Sequence, residues 1–224
     1  MQRYTREGDV SYALGYSITF ELIKMRSQEV IEVLYTSKIK KNELFFSLKE
    51  ECERRNIVLK CDDRAIERLS IKENCYVIGV FKKYFSALRR DKDHVIIEDI
   101  DEAGELGTII RTCISFDMKD IVFLGEHIDL FEPKVVRSSM GSIFHANIET
   151  YKDLKHYISA YDEHRLYELK NNGDDIHDFK KEGLTSLIFS SKDHEVRPIM
   201  IKNGEELKMP LKLGITLSSL YAKD

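Results

Sequence analysis

Val95-Ile96-Ile97 and Ile121-Val122-Phe123-Leu124 are two short apolar runs separated by a stretch, roughly 105–116, that reads as a helix entered through Gly104. Strand, helix and strand joined by short connections predict a βαβ unit, which forces the two strands to run parallel with a right-handed crossover. That unit constrains the chain more than any other segment, because it commits this half to an α/β fold.

The rest of the chain fits around it. After the βαβ unit, a helix is predicted from Pro133, with proline suited to a first turn, then a brief strand at 147–149 and a helix over 151–161. Strands follow at 165–169 and 185–189, and a short apolar helix runs from Leu213 to Tyr221. Before it, Leu14, Ile18, Leu22 and Met25 share one face of a predicted helix over 11–26. Val30 to Tyr35 reads as a strand, 42–55 as an amphipathic helix, 57–59 as a short strand, 65–69 as a short helix and 76–81 as a strand. The charged segment 82–93 lacks apolar periodicity and reads as a linker with some short helix. The expected domains are therefore 1–88, a small α/β sandwich, and 93–224, a larger parallel-sheet α/β domain. No internal repeat or low-complexity segment is found.

Charge divides along the same line. Residues 1–90 hold 18 Lys and Arg against 13 Asp and Glu, whereas the remainder holds 17 against 26. A basic half joined to an acidic one points to a polyanion-facing module, although solvated surfaces alone would also produce it. The four cysteines, Cys52, Cys61, Cys75 and Cys113, form no Cys-x-x-Cys pair, so neither a zinc site nor a disulfide framework is indicated. No apolar run reaches the ~20 residues of a membrane span, and the N-terminus lacks a signal-like apolar region, so a cytoplasmic protein without a membrane partner is expected.

Two segments carry chemistry. Glu105-Leu106-Gly107-Thr108-Ile109-Ile110-Arg111 places an arginine one helical turn beyond a glycine. A glycine at a helix start allows close approach of a ligand, and the planar guanidinium on nearly the same face suits a phosphate. Pro133-Lys134-Val135-Val136-Arg137-Ser138-Ser139-Met140-Gly141-Ser142 is basic and rich in hydroxyls, with Lys134 and Arg137 as phosphate-binding charge. Together the two segments resemble the first two motifs of the SpoU branch of the SPOUT RNA methyltransferases, the TrmH-like enzymes. The second matches the family pattern from Leu130 to Phe144.

The resemblance implies a C-terminal domain with a trefoil knot, a homodimer, S-adenosylmethionine as cofactor and ribose 2′-O-methylation of tRNA or rRNA, with no role for DNA. It implies Arg111 and Ser139 as catalytic residues. Arg111 would orient and stabilise charge, because a guanidinium with a pKa above ~12 does not serve as a base. Gly107, Lys134 and Arg137 would contact RNA; Phe189, Ser190, Met209 and Leu213 stand where the family holds its cofactor. The order of elements before residue 88 looks like the L30e-like substrate-binding domain of many SpoU proteins.

Three departures from the family pattern stand out. Glu105 replaces an asparagine. Where the family wraps its cofactor with a Gly-Asn-Glu-Gly-x-Gly loop, this chain has Ser190-Ser191-Lys192-Asp193-His194-Glu195, without a glycine. The Ile-Pro-Met and Ser-Leu-Asn signatures of the last helix are also missing, and only its apolar character remains. An active methyltransferase and a non-catalytic RNA-binding homologue that has lost the cofactor therefore both stay open, with a ribosome-assembly or protein-interaction module as a third reading. His194, between Asp193 and Glu195, offers a metal or acid–base cluster only if adjacent side chains converge.

Overall fold

The computed structural model describes residues 3–70, 74–100, 102–125, 129–201 and 207–222. Eleven strands and seven α-helices follow in the order β1 (Val10–Leu14), α1 (Tyr16–Arg26), β2 (Val30–Tyr35), α2 (Glu43–Arg54), β3 (Leu59–Cys61), α3 (Asp63–Leu69), β4 (Val77–Lys82), β5 (His94–Glu98), α4 (Ala103–Ser115), β6 (Asp120–Leu124), α5 (Pro133–Ser138), β7 (Asn147–Tyr151), α6 (Leu154–Ala160), β8 (Arg165–Lys170), β9 (Asp174–Asp175), β10 (Thr185–Phe189), β11 (Arg197–Met200) and α7 (Met209–Tyr221) among the described residues. They form two compact units: 1–84 with 129–145, and 85–128 with 146–224.

In the first unit the sheet order is β1-β4-β2-β3, antiparallel except for the parallel β2–β3 pair. Side chains alternate between its faces. Ile23, Leu48 and Cys52 of α1 and α2 pack with Val33 and Val77 on one side. Ala65, Ile66 and Leu69 of α3 pack with Tyr12, Leu14, Leu34, Ile78 and Val80 on the other. Gly79 permits the close approach of α1, since a Cβ there would lie 2.8 Å from the Leu22 side chain.

Residues 10–14 correct the expected helix over 11–26. They pair with β4 as a strand, and the chain turns at Gly15, whose φ of +106° ends the strand before the helix begins. Leu14 thus belongs to the sheet, while Met25, assigned to the buried face, is exposed.

The division into units also departs from two continuous stretches. Residues 129–145 belong to the first unit because its side chains hold them. Ser11 Oγ donates to the Phe131 carbonyl (2.5 Å), Arg26 Nε to the Phe144 carbonyl (3.0 Å), and Phe81 meets the Phe131 and Phe144 rings edge-on. Segment 83–93 carries no helix. Its residues 85–93 are held to the second unit by the Arg89 guanidinium, whose Nε and Nη2 reach Asp120 Oδ2 at 2.9 and 2.5 Å, and by the Leu88 amide on Glu149.

The second unit is a seven-stranded sheet in the order β7-β6-β5-β10-β8-β11-β9, with every neighbouring pair parallel. The predicted βαβ unit is β5-α4-β6. Two of its strands, β9 and β11, were not anticipated; both are short and polar at the start. On one face, Ile96, Val122 and Ile188 pack with Leu154, Tyr157 and Tyr161 from α6 and its C-terminal end.

Candidate functional site

From β5 the chain steps outward through β6 and β7, then crosses to β8 and returns so that β10 lies between β5 and β8. The order of strands therefore reverses between β5 and β10. Parallel α/β sheets bind ligands outside the carboxyl ends of their strands at such a reversal. Here that place is occupied by Glu98 at the end of β5, Asp99 just after it, and Ser190 to His194 after β10.

Sheet pleating explains why these side chains meet. Ile97 pairs with Phe189, so the next residues, Glu98 and Ser190, share the face that carries Ile96 and Ile188. Ser190 Oγ donates to Glu98 Oε2 (2.7 Å), Lys192 Nζ to Glu98 Oε1 (2.6 Å), and His194 Nε2 lies 2.9 Å from Glu98 Oε2. Ser191 Oγ and its amide donate to Asp99 Oδ2 at 2.6 and 3.2 Å. Burial pushes the Glu98 carboxyl upward, but hydrogen bonds from Lys192, Ser190 and His194 outweigh it and leave the group ionising below its usual range. Asp99 is lowered in the same way by Ser191 and Lys192 against its own desolvation. Asp99 holds a φ of +62°, a left-handed conformation that aspartate tolerates better than most residues.

Glu168 of β8 points to the same face and is 1% exposed. Its Oε2 accepts from the His194 amide (3.2 Å) and pairs with Lys170 Nζ (3.1 Å), while its Oε1 is buried with no hydrogen-bond partner. A buried carboxylate oxygen without a donor costs free energy, so it is a place for a ligand donor.

The predicted residues fall into separate groups. Phe189 is buried at the end of β10, and Ser190 belongs to the Glu98 network. Gly107 and Arg111 lie on α4, which packs against α7, the helix carrying Met209 and Leu213. Arg111 is exposed and Leu213 fully buried. Gly107 corrects the expectation of a glycine at a helix start. It is the fifth residue of α4, where the amide belongs to the helix's own ladder and is not available to a ligand.

Lys134, Arg137 and Ser139 lie in the first unit. Lys134 lines a cleft of about 350 Å³ together with Arg3, Tyr4, Arg68 and Glu132. Ser139 is fully buried, and its hydroxyl donates to the Val136 carbonyl at 2.8 Å. Gly141 has a φ of +84°, and a Cβ there would sit 3.0 Å from Glu21 Cβ. The glycine of the second segment is thus required by its backbone conformation.

His194, Asp193 and Glu195 do not converge: His194 turns to Glu98 and Asp193 to Lys170. No cluster of potential metal ligands occurs among the described residues. Sequence reasoning missed Glu98, Asp99 and Glu168. The signal was present as carboxylates directly after, or inside, apolar strand runs, where an unpaired charge is too costly to be incidental.

The profile of the SpoU rRNA Methylase family matches residues 92–206. The chain belongs to that family. A relative, an uncharacterised tRNA/rRNA methyltransferase of Mycoplasma pneumoniae, is 23% identical over 131 residues, covering 56% of this chain and 54% of the relative. The chain thus spans about half the length of that curated relative. An rRNA methyltransferase from Sinorhizobium meliloti superposes with a TM-score of 0.77 at 21% identity, covering 95% of this chain and 87% of the other. The SpoU methyltransferase AviRb from Streptomyces viridochromogenes, in complex with AdoMet, gives 0.76 at 16% identity, covering 94% and 88%. At these identities the likeness to the solved proteins is one of fold. Among the described residues, no helix is long and apolar enough to cross a membrane.

Proposed function

We propose that this SpoU-family chain is an S-adenosylmethionine-dependent RNA methyltransferase that modifies a ribose 2′-oxygen of structured tRNA or rRNA, acting as a homodimer. The observation that carries the reading is the strand reversal between β5 and β10, with Glu98 and Asp99 at its mouth and the unpartnered Glu168 Oε1 beside it. Related structures with AdoMet bound share this fold.

The residues fit such a cofactor. S-adenosylmethionine would supply an electrophilic methyl group on a sulfonium and would bring ammonium and ribose hydroxyl donors, for which the unpartnered Glu168 Oε1 is an acceptor, with Glu98 and Asp99, now bonded by Ser190, Ser191 and Lys192, beside it. Arg111, exposed on α4, would hold the RNA phosphate and align the ribose oxygen, a contribution that works through positioning. Lys134 and the cations of its cleft would bind the RNA backbone.

Calorimetric titration with S-adenosylmethionine, followed by transfer of labelled methyl to total tRNA and rRNA, tests the reading. Saturable binding with transfer blocked by a 2′-deoxy target nucleotide is the expected result. The absence of binding heat at millimolar ligand would sink it. That outcome would favour a non-catalytic RNA-binding homologue, a second reading whose support is the glycine-free 190–195 segment tied by its own side chains to Glu98 and Asp99.

A further inference from the structure

In the first unit, between α2 and the edge of the sheet formed by β2 and β3, lies a cavity of about 400 Å³, within the ~300–1,000 Å³ of small-ligand clefts. Tyr35, Phe45 and Phe46 line it, with Lys41 and Lys49 beside them. The Tyr35 and Phe45 rings meet edge-on at 5.2 Å, and Phe45 and Phe46 at 5.9 Å. Phe45 is buried in this aromatic cluster, whereas Phe46 is 56% exposed, although it sits on a helix that buries Phe45, Leu48 and Cys52. The connection leading to α2 adds Lys38 and Lys40, both exposed. Glu53 is the carboxylate of the lining, and Lys49 stands 3.6 Å from it.

We propose that this cavity holds an unstacked nucleobase of single-stranded RNA against Phe46, with the flanking phosphates on Lys41 and the Lys38–Lys40 connection. An aromatic face beside several cations is the combination that single-stranded nucleic acid recognises, since every base has a π-face and every linkage a negative charge. A protein segment would match the apolar floor but not Lys41 and Lys49 in its lining or the lysines of the connection that leads to it. The site deepens the RNA reading above and rests on it for the identity of the polymer, yet it lies in the first unit and needs no cofactor.

The test uses the full chain without cofactor and a fluorescently labelled short oligouridylate, with anisotropy read over a series of salt concentrations. Phe46→Ala is expected to weaken binding roughly tenfold, the scale of one base–aromatic stack, while Phe46→Tyr retains it. Lys41→Ala is expected to reduce the slope of log K against log salt by about 0.7, one single-strand phosphate contact. A blunt RNA duplex, which offers no unstacked base, is expected to bind wild type and Phe46→Ala alike. Oligouridylate binding unaffected by Phe46→Ala would overturn the proposal. So would a fall in sedimentation coefficient on Phe46→Ala, which would assign the cavity to a second copy of the chain. If wild type transfers no methyl group yet binds oligouridylate through Phe46, the methyltransferase reading fails and the pocket stands; if Phe46→Ala leaves both transfer and binding intact, the pocket alone fails.

Discussion

Lys192 Nζ stands 2.6 Å from Glu98 Oε1, so a lysine that is 60% exposed secures a carboxylate that is 8% exposed at the end of a central strand. Together with Ser190 and His194 it keeps Glu98 ionised below the usual range despite burial. A carboxyl lowered in the folded state contributes stability above the unfolded pKa of about 4.3, and that contribution disappears as pH falls through the folded value. Urea midpoints are therefore expected to drop as pH falls below about 4.3, and Glu98→Gln to shallow that drop. Parallel acid limbs for wild type and Glu98→Gln would show that the network does not hold the fold.

Arg111 separates catalysis from stability. As an exposed residue of α4 it contributes little to the core, so Arg111→Ala is expected to change stability by no more than about 0.5 kcal/mol. Under the methyltransferase reading it cuts kcat by about 10²–10³-fold, the usual cost of removing one charge-stabilising group. Thermal melts alongside single-turnover transfer measure both, and retention of full kcat would remove Arg111 from the mechanism.

His94 and His164 give the second unit a different pH response. His94 Nδ1 lies 2.8 Å from the Tyr157 hydroxyl, which contacts Ser186 Oγ at 2.6 Å, and His164 Nδ1 reaches the same Ser186 oxygen at 2.8 Å. Burial lowers both imidazole pKa values, and for His94 the neighbouring His164 adds to the effect. Both rings are therefore neutral in the fold, and the unfolded chain takes up protons near pH ~6.5. This part of the stability is complete above about 6.5 and is lost as pH falls below it. Urea midpoints that stay level from about pH 7.5 to 5 would contradict the neutral cluster.

Gly141 should tolerate no side chain. Alanine at its φ of +84° carries the left-handed penalty of about 1–2 kcal/mol and also presses on Glu21. Gly141→Ala is expected to lower the urea midpoint of the purified chain by a corresponding amount. A midpoint equal to wild type would mean that this turn relaxes freely.

The βαβ unit was legible from the apolar runs at 95–97 and 121–124 because parallel strands leave a strong local signal. Val30–Tyr35 and 76–81 were legible from their own short apolar runs rich in β-branched residues. Residues 10–14 were not, since Leu14 and Ile18 sit at helical spacing and only the conformation of Gly15 divides strand from helix. Nor was the place of 129–145, which is decided by Ser11, Arg26 and Phe81, residues far away in the chain.

The candidate site divides in the same way. The sequence alone determined the family, because the motif spacing around Arg111 and in 130–144 is a property of contiguous residues, and it determined that the loop after β10 has no glycine. Only the tertiary structure decided what that loop does instead. Glu98 and Ser190 are 92 residues apart in the chain and meet because β10 inserts beside β5 in parallel register. Glu168 loses its solvent in the same sheet, and the free energy of a buried, unpartnered carboxylate oxygen exists only once those strands are together.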